Sequence, residues 1–262
     1  MLGEARSDNL TGEAAKVAYY FFLSLWPLLL GVLAFTGLVG GEPAFAWIMN
    51  WLEAVVPGDL ATLLARFVRE ITADERPDML SLGIVLTLWS GSGIFAALAD
   101  GLNVICDVTE GRPWWRKRLV ALGMLVGASL LLTGGAAAIL AGGSIISSLG
   151  LGAAWNVARW PVAFLLLVVL AGLLYVFLPN RTPRFAGRPL AIGALVGALL
   201  WVLVTSGFRL YVAHWGSYSQ TYGFVGAIIV LLLWLYLTAL ALLFGGEVAA
   251  SLEQGIHRRA RT

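Results

Sequence analysis

Residues Phe224–Gly246 read FVGAIIVLLLWLYLTALALLFGG, twenty-three positions without a charge. A run of about 20 apolar residues matches the roughly 30 Å of bilayer hydrocarbon at about 1.5 Å of helical rise per residue. Five further runs have the same character: Val17–Val39, Met79–Ala99, Leu119–Ala141, Trp160–Leu178 and Leu190–Val212. These runs do not alternate polar with apolar, which excludes a membrane barrel and leaves the helix to satisfy the backbone in lipid. Hydrophobic residues make up 60% of the chain and charged ones 12%, with a mean hydropathy of +0.86. Soluble domains carry about 25% charged residues. The expected fold class is all-α: a polytopic membrane helical bundle of six transmembrane helices, one domain over residues 1–262.

The net charge of +2 says little, but the placement of the charges says more. Of the Lys and Arg residues, Arg66, Arg69, Arg76 and Arg159 fall on one side of the spans, and Arg209 lies inside one. The other twelve, including Arg112, Arg116, Lys117, Arg118, Arg181, Arg184 and Arg188, fall on the opposite side with both termini. Cytoplasmic loops collect Lys and Arg, so both ends of the chain are expected in the cytoplasm. Ala44-Phe45-Ala46 resembles a leader cleavage site. The apolar run before it exceeds the usual 7–15 residues and its flank is not basic, so cleavage is not expected.

The long outer loop, residues 41–78, carries Leu60, Leu63, Leu64, Phe67, Val68 and Ile71 at helical spacing, with Arg66, Arg69 and Glu70 opposite. Phe45, Ile48, Trp51, Leu52 and Val55 make an earlier apolar stripe. Two short amphipathic helices are expected, lying on the outer membrane face or capping the bundle. Small residues predict close helix contacts at Gly123/Gly127 and Gly193/Gly197, and along Gly134, Ala138 and Gly142.

Polar and helix-breaking groups within the spans are the candidate site residues. Pro27, after Ser24, and Ser90-Gly91-Ser92-Gly93 fall at similar mid-membrane depth. They read either as paired helix breaks exposing backbone to a substrate or as kinks that fit their neighbours. Asp100, Asn103, Glu247 and Lys16 share the cytoplasmic level, as an inner gate or as interfacial residues ending their helices. Arg209 pairs with an anionic substrate or snorkels to the outer headgroups. Tyr218 and Tyr222, with Trp215, lie in an uncharged outer loop, as an aromatic belt or a recognition surface.

Cys106 is the one cysteine, and His214 and His257 lie apart, which argues against a histidine/cysteine metal site. An all-carboxylate site is left open by that count, and no cofactor is expected. There is no P-loop, GxSxG elbow or HExxH motif. The Arg112–Arg118 cluster is explained by orientation and anionic lipid, and no nucleic-acid partner is expected.

Ala18-Tyr19-Tyr20 with Ser24 and Pro27, Leu102-Asn103 before the basic loop, and the stretch Tyr211–Glu247 resemble the YihY/BrkB family of bacterial inner-membrane proteins, long labelled "ribonuclease BN". Within that stretch the likeness rests on Gly216-Ser217-Tyr218, Thr221-Tyr222-Gly223, Trp234-Leu235-Tyr236 and Gly246-Glu247. The chain departs from the family in having Ala249 and Ala250 where Asn often follows the Glu. The resemblance implies a six-helix inner-membrane protein linked to transport or lipid export. The function expected is a transporter or translocase of a lipid or an amphipathic or anionic solute, with the bilayer as partner. A non-transporting assembly or scaffold protein and a membrane-embedded enzyme are the alternatives.

Reporter fusions check the topology. Fusions after Arg118 and Arg261 should read cytoplasmic and one after Asp74 periplasmic; a periplasmic C-terminus would overturn both count and orientation.

Overall fold

Apolar periodicity without strand alternation gives helices throughout the computed structural model, which describes residues 2–39, 78–148, 150–185, 187–215 and 218–259. The helices are α1 (Leu2–Val39), α2 (Asp78–Ile105), α3 (Trp114–Ser148), α4 (Gly152–Phe177), α5 (Gly187–Trp215) and α6 (Tyr218–Arg259). Five stretches are long and apolar enough to cross a membrane among the described residues: Val85–Ile105, Trp114–Gly143, Gly152–Phe177, Gly187–Tyr211 and Ile228–Ile256. The remaining expected run, Val17–Val39, lies inside the continuous α1. The expected amphipathic helices of the long loop fall outside the described residues.

Each helix packs on its neighbours in sequence, α6 returns to α1, and α2 also touches α6, so the described helices form a ring with contacts across it. Successive helices run antiparallel. Ser24 meets Ser90 and Pro27 meets Thr87, numbers rising on α1 as they fall on α2. Gly193 lies against Ala249 and Gly197 against Gly245 in the same sense. The alternation brings the start of α1 and the end of α6 to one end of the bundle.

Helices with alike surroundings in lipid associate through close packing more than through hydrophobic burial. The α5–α6 seam is closed backbone to backbone. A Cβ on Gly193 would sit 2.6 Å from both the Gly245 carbonyl oxygen and the Ala249 Cβ, and one on Gly245 would sit 2.7 Å from Gly197 Cα. Tyr175 of α4, buried, fills the remaining space and donates its hydroxyl to the Leu242 carbonyl at 2.6 Å. Nearby, Leu102 reaches Gly246, and Leu243 reaches Gly101, closing the α2–α6 contact. The core is therefore densest at this one end, around Val17, Leu98, Leu102, Tyr175, Leu178 and Leu243.

The expected contact at Gly193/Gly197 is present. Gly123 and Gly127 differ: nothing lies within 4 Å of a Cβ placed on either. On α3 the contact falls further along, where Gly135 meets Leu166 and Gly142 meets the Trp155 ring, while Gly134 is open. Bulky residues on α4 choose which glycines of α3 are needed. The helices also outrun their apolar segments. Tyr218 opens α6 and Tyr222 lies in its first turns, so neither occupies the loop expected for them.

The seam makes a paired prediction. Gly245→Ala should lower stability by about 1–3 kcal/mol, because its methyl meets backbone. Gly127→Ala, with open space and better helix propensity, should be neutral or slightly stabilising. Thermal unfolding in detergent reads both, and an unaffected Gly245→Ala would show that the seam tolerates separation.

Candidate functional site

The mid-membrane candidates form a seam between two unbroken helices. Pro27 lacks an N–H and Ser90–Gly93 loosens its helix, yet α1 and α2 run continuously through both. The paired breaks read as one alternative are absent. Cross-helix hydrogen bonds use this backbone instead: Ser24 Oγ donates to the Ser90 carbonyl at 2.7 Å, and Thr87 Oγ1 to the Pro27 carbonyl at 2.5 Å. Ser92, fully buried, donates to the Trp89 carbonyl at 2.7 Å.

Asp100 lies on the face of α2 opposite Leu98 and Leu102, since two residues advance a helix by about 200°. That turns it from the core toward the outer surface of the bundle. Its carboxylate takes Lys16 Nζ of α1 at 3.3 Å and also Lys117 of α3. Lys16 in turn meets Glu13 at 3.2 Å. The cluster binds three helices together at the end that holds the start of α1 and the end of α6.

Asn103 is buried and fastens two loops. It sits in the last turn of α2, where Asp107 takes the left-handed conformation (φ 53°) and the Asp107 and Val108 amides close back on Val104 and Asn103. This is a Schellman-type end with Asp in the place glycine usually takes. The Asn103 side chain donates to Glu110 at 2.9 Å and accepts the Asn180 amide at 2.7 Å, joining the α2–α3 loop to the α4–α5 loop. Glu110 grips Arg112 through both oxygens at 2.8 Å, and Arg112 reaches the Leu178 carbonyl at 2.7 Å, at the end of α4. Hydrogen bonding from Arg112 holds the Glu110 carboxyl below the usual carboxylate range.

Glu247 is half-buried on α6, with Ser251 Oγ 3.4 Å from its carboxylate. A cavity of about 390 Å³ opens at the same end, lined by Cys106, Val108, Asn180, Arg181, Thr182, Ala250, Glu253 and Gln254. Asp100, Asn103 and Glu247 are not among its lining residues. Arg181 bridges it by pairing with Glu253, its guanidinium 4.0 Å from the Phe185 ring. Burial, opposed by Arg181 and reinforced by Glu247, pushes the Cys106 thiol up to about 11, so it stays protonated and unreactive at neutral pH. Arg209 lies exposed on α5. Glu110, Asn180, Arg181 and Glu253 carry no motif; the one sequence signal was Glu110 two residues before Arg112 in a short loop.

The family model described as "Virulence factor BrkB" matches residues 1–262. The ribonuclease-like protein YfkH of Bacillus subtilis is 30% identical over 92% of this chain and 90% of its own length. A UPF0761 membrane protein of Pseudoalteromonas atlantica is 26% identical over 99% of this chain and 87% of its own. Another, from Alteromonas mediterranea, is 29% identical over 97% and 86%. No solved structure matches the chain.

The loop fastening has a pH signature. With its folded pKa depressed, Glu110 adds stability at pH above the unfolded value of about 4.3, and that stability is lost as pH falls through the folded pKa. Glu110→Gln should therefore unfold at lower temperature than wild type at pH 7, with the gap closing in strong acid. Asn103→Ala should cost about 1–2 kcal/mol by removing the hydrogen bonds to two half-buried partners. A Glu110→Gln deficit that persists unchanged in strong acid would refute the charged latch.

Proposed function

The chain belongs to the BrkB family, and we propose that it works as an inner-membrane translocase for a lipid or another amphipathic or anionic cargo. In this reading six helices span the membrane and both termini are cytoplasmic. The packed end that carries them is the closed inner gate. The observation that carries the reading is a set of buried polar atoms without partners. Among the described residues, Thr205 Oγ1 on α5 and Trp234 Nε1 and Thr238 Oγ1 on α6 are buried and make no hydrogen bond. The antiparallel register that sets Gly197 against Gly245 brings Thr205 to the level of Thr238. Three orphaned groups at neighbouring levels of one seam, just beyond the packed end, want water or the polar part of a cargo.

The gate itself is polar and reversible: Asp100 divided between Lys16 and Lys117, Asn103 between two loops, Arg181 on Glu253. The Ser90 and Pro27 carbonyls, held by Ser24 and Thr87, brace the α1–α2 wall, and Ser92 is buried within it. Arg209, Tyr218 and Tyr222 belong to the outer end of the path, and Glu247 to its inner end. A scaffold role is the second reading, and the solid packing around Tyr175, Leu102 and Leu243 is what favours it. The ribonuclease-like name of the Bacillus relative finds no catalytic motif to attach to in this chain.

Proteoliposomes with a fluorescent phospholipid test the reading. Protein-dependent movement between leaflets is expected, and Glu247→Gln should slow it several-fold while membrane abundance stays near wild type. No movement of any phospholipid, with cellular phenotypes that follow abundance alone, would favour the scaffold.

A further inference from the structure

Lys117 and Arg118 are neighbours near the start of α3, yet they reach in opposite directions. Lys117 extends to Asp100, whereas Arg118 Nη2 donates to the carbonyl of Trp89 at 2.5 Å. The Trp89 carbonyl points along α2 toward Gly93, and Gly93 lies seven residues before Asp100 on the same helix, about 10 Å along the axis. That distance is about a third of the roughly 30 Å hydrocarbon layer. A basic side chain near a helix end normally snorkels toward water, and helical side chains lean toward the N-terminus. On α3 both tendencies point to the end where Asp100 lies. Arg118 goes the other way, into the membrane.

What it finds there is a shaped site. Its guanidinium lies 4.3 Å from the Trp89 ring centroid. Gly93 forms the floor: a Cβ there would meet Tyr20 Cδ1 at 3.5 Å and Arg118 Nη1 at 3.8 Å. Trp89 is 58% exposed and Tyr20 41%, so the site opens sideways from the outer face of α2 between α1 and α3. No carboxylate among the described residues lies within ion-pair distance of Arg118, and its Nε is buried without an acceptor. Of the five N–H donors of a guanidinium, one is engaged by protein.

We propose that the Arg118–Trp89–Tyr20 groove binds the phosphate of a phospholipid partway across the membrane. A cation this deep requires a counter-anion, and a guanidinium fork matches phosphate oxygens. The lateral opening onto apolar surface (Val85 and Leu86 are exposed one turn away) admits acyl chains and excludes a soluble anion approaching from water. A resting bilayer lipid keeps its phosphate at the interface, so a phosphate at this depth belongs to a lipid in transit. The site rests on the translocase reading for that last step alone; binding stands by itself.

The test uses the full chain purified in detergent, with bound lipid read by native mass spectrometry. Dioleoylphosphatidylglycerol should bind, dioleoylglycerol should bind at least about tenfold more weakly, and inorganic phosphate should not displace the phospholipid. Arg118→Gln should cost at least about tenfold in phospholipid binding, Arg118→Lys less, and Arg159→Gln nothing. Gly93→Leu keeps the charge but fills the floor, and should also release the lipid; it serves if Arg118→Gln fails to accumulate. Phosphatidylglycerol binding unchanged by Gly93→Leu or Arg118→Gln, equal binding of dioleoylglycerol, or displacement by inorganic phosphate would each overturn the proposal. Lipid movement in proteoliposomes is scored separately. Selective binding without movement defeats the translocase reading and leaves the site standing, whereas movement without Arg118-dependent binding defeats the site.

Discussion

Where Gly197 and Gly245 meet, two helices lie so close that no side chain fits between them, and the Tyr175 hydroxyl takes what room is left. In lipid this contact has no competing solvent to expel; its strength is dispersion between backbones and one hydrogen bond to a carbonyl. Much of the architecture refers back to it. It draws α4, α5 and α6 together, sets the height at which Gly246 receives Leu102 and Gly101 receives Leu243, and thereby aligns α2. Asn103 and Asp100, on that same stretch of α2, then meet their loop and lysine partners at one level.

The contrast between the two halves of the ring follows. Near the seam, small residues allow close approach and the interior is filled by Leu and Tyr side chains. Further along, the partners of Thr205, Trp234 and Thr238 run out. An interior both packed and locally unsatisfied is expected of a molecule with a second arrangement, because a buried polar group without a partner is costly to keep. On the outer face of α2 a similar tension appears at Arg118, resolved by a ligand instead of by a change in shape.

The all-helical class, five long apolar helical stretches and the Gly193/Gly197 contact were legible in the sequence because each follows from local composition: absence of alternation, run length, and paired small residues. Gly123 and Gly127 misled, since a GxxxG spacing does not say what faces it, and Trp155 and Leu166 on α4 select other glycines. Pro27 and Ser90–Gly93 were correctly matched in depth, but a hydroxyl one helix away (Ser24 or Thr87) satisfied the backbone that a break would have exposed. Asp100, Asn103 and Glu247 do share a level, as the sequence order implied. Which way each points depends on helix rotation, and that divides them between the outer face, two loops and α6. Arg181 and Arg118 were read as orienting charges alone, because their partners Glu253 and Trp89 lie far away in sequence.

The length of α6 has a mechanical consequence. It is one continuous helix of 42 residues, about 63 Å at 1.5 Å per residue, and Gly245 touches α5 at a point well off its middle. From Tyr218 to Gly245 the rod measures about 40 Å, and from Gly245 to Arg259 about 21 Å. The close backbone contact between α5 and α6 makes a natural fulcrum. A tilt about it carries the Tyr218 end roughly twice as far as the end bearing Glu253, so a small slackening of the Arg181–Glu253 grip becomes a larger sweep on the opposite side of the membrane.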